Sequence, residues 1–386
     1  MSAPTVPETR SPLGRIMRSA RQPQPRTTDF KILWALIIAL NLFGLLMVLS
    51  ASSVTALYQY GSSWYQFRQQ LFYFVIGCGL MFVMSRYAYE RLSKWMRLIL
   101  FVAAGLMAAV LVPGIGATVN GASRWIVVGP LRLQPSEFAK LAVILYVADT
   151  LTRRVGQIGD WKAAMRPVVI VFGAFAALLM LQPNLGTTII LASIVLVMLF
   201  VAGVPGRPLA TLTVILAGLA TLSAFAEPYR FRRLMAFRNA WDDPLNTGFQ
   251  TIQSQVGFAN GGLLGTGLGQ GRAKWGFLPE AHTDFIYAII GEEIGLVGSS
   301  MVIALFLAFA FFGIRTALHA RDRFGMLLAT GITTWILVQA FINIGASVGA
   351  LPITGVPLPF VSAGGSSLVL TMAASGILLN IARQER

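Results

Sequence analysis

Ile32-Leu33-Trp34-Ala35-Leu36-Ile37-Ile38-Ala39-Leu40-Asn41-Leu42-Phe43-Gly44-Leu45-Leu46-Met47-Val48-Leu49-Ser50-Ala51 carries no charged side chain. A bilayer core about 30 Å thick is crossed by about 20 such residues in an α-helix, so the run predicts a spanning helix. It is longer than the apolar core of a signal peptide, about 7–15 residues, and reads as an anchor rather than a leader. Comparable runs follow at 69–85, 97–113, 138–151, 167–182, 186–203, 208–226, 285–314, 325–347 and 365–382. The run 138–151 is short and starts on charge, and Pro183 places a tight turn between the fifth and sixth. The composition agrees: of 386 residues, 56% are hydrophobic and only 12% charged, against about a quarter charged in soluble domains. The expected fold class is an all-α polytopic membrane protein of ten transmembrane helices. Residues 1–30, rich in Pro, Arg and Ser/Thr, read as a disordered basic cytoplasmic tail. Residues 31–386 read as a single transmembrane domain.

The formal charge of +15 does not point to nucleic acid, because the basic residues recur in short segments between apolar runs. Most of them fall on one side if the N-terminus is inside: Arg10 to Lys31, Arg86 to Arg97, Arg153 to Arg166, Arg207, Arg315 to Arg323, and Arg383 with Arg386. That is the positive-inside pattern, with anionic lipids as natural partners. Both termini are then cytoplasmic, and a large extracytoplasmic loop, 227–284, joins helices 7 and 8. The cations outside the pattern cluster near 124–140 and in 227–284, including Arg124, Arg132, Lys140, Arg232, Arg233, Arg272 and Lys274. A phosphate-bearing lipid is the anion available there. Within the first of these segments, Trp125–Val128 and Leu131–Leu133 around Gly129-Pro130 read as a hairpin. Arg230 to Trp241 mixes arginine with aromatics, as an interfacial segment would. Neither an internal repeat nor an inverted repeat is evident. Cys78, the single cysteine, lies in an apolar run and reads as a small buried hydrophobe.

Asp284 ends the loop at the mouth of an apolar helix, after Gly271-Arg272-Ala273-Lys274-Trp275-Gly276-Phe277-Leu278-Pro279-Glu280-Ala281-His282-Thr283. It is either an N-cap of the next helix or a general base whose pKa is raised by desolvation; the two roles are compatible. Glu137 and Lys140 share a helix face where hydrocarbon begins, as an ion pair or as a phosphate-holding site. His282 is a candidate proton shuttle or a structural hydrogen bonder, and with His319 on the other side a zinc site is not supported. The glycines from Gly261 to Gly271 fit neither the dinucleotide fingerprint nor a Walker A loop. They read as backbone close to a bulky ligand or as a hinge. Glu292 and Glu293 lie within a spanning run, with a structural or gating role expected. Gln182-Pro183-Asn184 marks a polar turn. The segment from Pro352 to Ser367 must line protein or a cavity if it lies at membrane depth.

Taken together, these pieces resemble the SEDS (shape, elongation, division and sporulation) family. The matching motifs are Asn120-Gly121-Ala122-Ser123-Arg124-Trp125, Gln134-Pro135-Ser136-Glu137-Phe138-Ala139-Lys140, Gln182-Pro183-Asn184-Leu185-Gly186-Thr187, Gly248-Phe249-Gln250, Leu278 to Phe285, Gly291-Glu292-Glu293 and Pro359 to Ser367. They run in order across about residues 30–382. The basic tail and Leu278-Pro279-Glu280-Ala281 resemble the cell-division branch more than the elongation branch. The resemblance implies a ten-helix peptidoglycan glycosyltransferase of the bacterial cytoplasmic membrane, acting on lipid II at the division septum. It implies Asp284 as the essential loop aspartate and Glu137 with Lys140 as the family's polar pair. It also implies a class B penicillin-binding transpeptidase and other divisome membrane proteins as partners. Two departures stand out: Asn184 replaces the usual aspartate, and Ala363 replaces a more usual tyrosine. The expected substrate-binding set is Lys140, Glu137, Arg124, Arg272, Lys274, His282, Arg232 and Arg233, with Mg or Mn as an optional aid. Other readings of the same residues are a lipid II flippase and a non-catalytic scaffold for a transpeptidase.

Overall fold

The computed structural model describes residues 28–384 except 120, 121, 130 and 227. The basic tail expected at 1–30 thus lies almost wholly outside the described residues. Twelve α-helices of ten or more residues occur among those described: α1 Thr28–Tyr60, α2 Tyr65–Arg86, α3 Leu92–Ala109, α4 Pro135–Arg153, α5 Trp161–Leu181, α6 Leu185–Val201, α7 Gly206–Ala226, α8 Pro228–Arg238, α9 Phe249–Gly261, α10 Ile286–Leu318, α11 Arg323–Ser347 and α12 Gly365–Arg383. Among the described residues, eight candidate spans are long and apolar enough to cross a membrane. These are α1, α2, α3, α5, α7, α10, α11 and α12. Of the ten runs read from the sequence, α6 falls short in length and α4 in apolarity. The reason in α4 is Glu137, Lys140, Asp149 and Arg153 within one helix. Neighbouring α3, α5, α6 and α11 pack around α4. Protein rather than lipid therefore surrounds its polar side chains, most of which are buried.

The sheet is a small departure from the all-α expectation. Strands β1 Gly116–Val119, β2 Ala122–Val128 and β3 Leu131–Leu133 form an antiparallel sheet in the order β1-β2-β3. The hairpin of β2 and β3 pairs Ile126 with Leu133 and Val128 with Leu131. β1 adds a strand on the other edge.

Hydrogen bonds gather one end of the bundle. The Gln134 N–H donates to Ser366 Oγ, Gln70 donates to the Ser362 carbonyl, and the Ala363 N–H donates to the His282 carbonyl. The start of α4, the start of α12 and the segment before α10 therefore share this end. The opposite end is tied by Tyr89 to Asp322, Ser93 to Asp149 and Arg315 to Asp29.

Helix α10 is broken at Gly295, whose φ is +71°. A break frees carbonyls above it and N–H groups below it, and in an apolar setting each needs a partner. The glycine-rich loop supplies them. Thr266 and Gly267 N–H donate to the Glu292 and Glu293 carbonyls at 2.9 and 3.0 Å, while Leu296 and Val297 N–H donate to the Gly262 and Leu263 carbonyls at 2.9 and 3.2 Å. No side chain fits between the two backbones: a Cβ on Gly295 would lie 2.4 Å from the Gly265 nitrogen. The glycine run thus seats a broken helix.

Candidate functional site

The segment that carries Asp284 is a tight turn built on Glu280. The N–H groups of Thr283, Asp284 and Phe285 all point to the Glu280 carbonyl, at 3.2, 3.1 and 3.3 Å. Glu280 itself has a positive φ of 54°. Helix α10 begins at Ile286 with Phe285 at its N-cap and no side-chain capping bond. The capping alternative for Asp284 therefore fails, because its carboxylate does not serve the helix. Instead the side chain is partly buried and faces Gly355, where a Cβ would stand 3.6 Å from Asp284 Oδ2. Gly355 has a φ of +71°, so the bare backbone there leaves room beside the acid.

The electrostatics of this hollow are mixed. Burial, and after it the nearby Glu280, raise the Asp284 pKa from 3.8 to about 6, against the opposing pull of Arg233 and Arg124. The two arginines arrive on different elements. Arg124 on β2 donates from Nε to the Gln182 carbonyl at 3.0 Å and from its terminal nitrogen to the Pro183 carbonyl. Arg233 on α8 donates to the Ile353 carbonyl at 3.2 Å. Each guanidinium is thus held by loop carbonyls, one at the 182–183 turn and the other at Ile353. The Asn184 side chain accepts from the Thr187 N–H at 3.3 Å, which makes it the cap of α6. An aspartate in its place would do the same with a charge. His282 is partly buried, and burial holds its imidazole below the usual range against the pull of Glu280. Arg232 and Arg272 are exposed.

Three charged residues of the expected substrate-binding set are engaged in buried ion pairs: Lys140 with Glu137, the pair that their spacing allowed, and Lys274 with Glu293. Lys140 is 1% exposed. Its ammonium donates to Glu137 Oε1 at 2.8 Å and to Gln339 Oε1 at 2.7 Å, and sits 4.6 Å from the Trp335 ring centre. Three donors on one ammonium are thereby directed to a carboxylate, an amide and an aromatic face. Glu137 completes its own set by accepting from Ser367 Oγ at 2.9 Å. Lys274, also buried, pairs with Glu293 at 2.8 Å, and Glu293 further accepts from Ser50 and from the Gly269 N–H. Glu292 accepts from the Arg272 and Ala273 N–H groups at 2.9 and 3.0 Å. The two glutamates hold the loop 269–274 on α10, which accords with the structural half of their expected role.

Two further residues of the site were not read from the sequence. Asn343 Nδ2 donates both to the Asp284 carbonyl and to the Val356 carbonyl, each at 2.8 Å. One turn earlier on α11, Gln339 Nε2 donates to the Pro357 carbonyl at 3.0 Å. Their signal was present: two amides one turn apart in an otherwise apolar span, where an unpaired polar group is costly. As for metals, no three His, Cys, Asp or Glu side chains converge among the described residues.

A helical membrane bundle with a partly buried acid between arginines at one end defines the class: an integral membrane protein with a polar site at the rim of its apolar core. Comparison with known sequences gives the family. Residues 30–386 match the cell cycle protein family of FtsW, RodA and SpoVE, and the chain belongs to it. It is 41% identical over 350 residues to a probable peptidoglycan glycosyltransferase FtsW of Geobacter metallireducens, covering 91% of this chain and 93% of that one. It is likewise 41% identical over 367 residues to the stage V sporulation protein E of Bacillus subtilis, covering 94% and 99%. Among solved structures, one described as "Structural coordination of polymerization and crosslinking by a peptidoglycan synthase complex" aligns with a TM-score of 0.74 at 29% identity, over 91% of this chain and 97% of the other. The rod shape determining protein RodA of Thermus thermophilus aligns with a TM-score of 0.67 at 27% identity, over 92% and 96%.

Proposed function

We propose that this protein is a peptidoglycan glycosyltransferase that polymerises lipid II at the outer face of the bacterial cytoplasmic membrane during septal wall synthesis. In this reading 31–386 is one transmembrane domain of ten spans, including α4 and α6, with both termini cytoplasmic and 227–284 outside. The observation that carries it is Asp284, held off its helix and partly desolvated between Arg124 and Arg233.

Asp284 takes the proton from the C4 hydroxyl of the acceptor N-acetylglucosamine as that oxygen attacks C1 of the donor N-acetylmuramic acid. The C1 bond to the pyrophosphate oxygen breaks with inversion, and the lipid pyrophosphate leaves with the bonding electrons. A base with a pKa near 6 is ionised at neutral pH and still accepts a proton. The leaving group is already an anion, so it needs cations rather than an acid. Arg124 and Arg233 stand beside the base, and the exposed Arg232 and Arg272 are rim cations for the same anion. His282, neutral at pH 7, offers a hydrogen bond rather than a charge. Glu137, Lys140 and Lys274 shape the site from within. A class B penicillin-binding transpeptidase and other divisome proteins are the proposed partners, with anionic lipids around the bundle.

The test is polymerisation of fluorescent lipid II by the purified protein, with the transpeptidase present, read as glycan ladders on a gel. Asp284→Asn and Asp284→Ala are expected to bind lipid II and form no ladder. Ladders of parental intensity from either variant would end the proposal that Asp284 is the base.

A further inference from the structure

The base is held by main chain rather than by its own carboxylate, and the element that holds it is α11. Residues 335, 339 and 343 follow one another at i, i+4 and i+8, which places them on a single helix face. From that face Gln339 receives Lys140 Nζ at 2.7 Å and Trp335 Nε1 at 2.8 Å, and donates to the Pro357 carbonyl. Asn343 donates to the carbonyls of Val356 and Asp284. The two amides thus grip successive carbonyls of the loop that places Gly355 beside the acid, and one of them also grips the acid's own backbone. Trp335, Gln339 and Asn343 are 0%, 0% and 2% exposed. Only an amide nitrogen can donate to two carbonyls, so these contacts also fix which way Asn343 points. Its Oδ1 is buried with no hydrogen-bond partner. An orphaned buried acceptor is a cost, set against the two loop carbonyls that Nδ2 satisfies.

We infer that Asn343 is a positioning residue for the glycosyl transfer: its amide bridges the Asp284 and Val356 carbonyls, setting the gap in which the acceptor hydroxyl meets the Asp284 carboxylate. Gln339 extends the bridge to Lys140 and Glu137, so the buried ion pair acts on the site through α11 without touching substrate. The inference rests on the reading of Asp284 as the general base. A displacement of about 1 Å at a reacting centre costs on the order of 100-fold in rate, whereas binding through Arg124 and Arg233 does not pass through Asn343.

The test uses the full chain with its transpeptidase partner and lipid II. Asn343→Leu keeps the volume and removes both donors; Asn343→Ala removes them with less crowding. In protein that remains monodisperse, both are expected to lower kcat by about 10- to 100-fold. The KM for lipid II should stay within about threefold, and the acid limb of the pH–rate profile should stay in place. If Asn343→Leu does not fold, Asn343→Ala decides; if neither folds, Gln339→Met, which cuts the bridge one turn lower, must give the same split. Full kcat per folded molecule overturns the inference, as does a loss confined to thermal stability. Asp284→Asn in the same assay separates the two levels. An inactive Asp284→Asn beside a fully active Asn343→Ala refutes only the positioning role, while an active Asp284→Asn refutes the base itself.

Discussion

A desolvated carboxylate burdens the fold, and Asp284→Asn measures that burden. The substitution removes the charge and keeps the shape. Burial raises the folded-state pKa from 3.8 to about 6, which corresponds to about 3 kcal/mol at about 1.4 kcal/mol per pH unit. The side chain keeps part of its contact with water, so solvent screening reduces this to about 1–2 kcal/mol. The sign follows from the direction of the shift. With the folded pKa above the unfolded one, the parent gives up stability as pH rises from about 4 to about 6, and the deficit is constant above that. Asp284→Asn is therefore expected to unfold a few degrees higher than the parent at pH 7.5, and at the same temperature as the parent near pH 4. Cys78, the only cysteine in the chain and partly buried in α2, provides the assay: a thiol-reactive dye reports its exposure as the protein is heated in micelles. An Asn variant that melts below the parent at pH 7.5 would mean that the carboxylate is structurally engaged, and the desolvated-base argument would fail.

Polymerisation should rise tenfold per pH unit up to about pH 6 and then level, since only the ionised acid accepts the proton. Arg233→Gln removes a charge that lowers the Asp284 pKa, so its acid limb should move to higher pH, and Glu280→Gln should move it lower; pH–rate profiles at saturating lipid II check both. Lys274→Met leaves Glu293 buried without its cation and should destabilise the protein by about 3–5 kcal/mol, whereas adding Glu293→Gln should restore much of the loss in the same thermal assay. Gly295→Ala forces a side chain into a positive φ and against the Gly265 backbone; yield and melting temperature should both fall, with the loop 262–267 becoming protease-sensitive.

The helices were legible because hydrocarbon thickness dictates their length, and runs such as 325–347 and 365–382 coincide closely with α11 and α12. The fourth run was short on paper because its charges interrupt the apolar pattern, and only packing on every side explains why Pro135–Arg153 tolerates them. β1 was missed because its four small residues have no alternation to read. At the site, Asp284 stood out as an acid at the edge of an apolar helix, but whether it capped that helix required backbone geometry. The Glu137–Lys140 ion pair was legible from its spacing, but the other partners were not: Gln339, which also accepts from Lys140, lies far along the chain, and Glu293, which answers Lys274, lies beyond the loop. Gln339 and Asn343 were passed over because two amides in an apolar helix mark a polar face without showing which carbonyls they meet.

The interruption at Gly295 gives one helix two separate duties. Below it, Leu296–Leu318 is about 35 Å long at about 1.5 Å per residue, enough by itself to cross a hydrocarbon slab of about 30 Å. Above it, the short piece that follows Asp284 is fastened to the 262–274 loop by Glu292 and Glu293. A thinner or thicker membrane that leans the lower rod therefore meets a joint before it meets the acid. In the proposed reading of Asp284, adaptation to lipid and aim at the sugar fall to different lengths of the same helix.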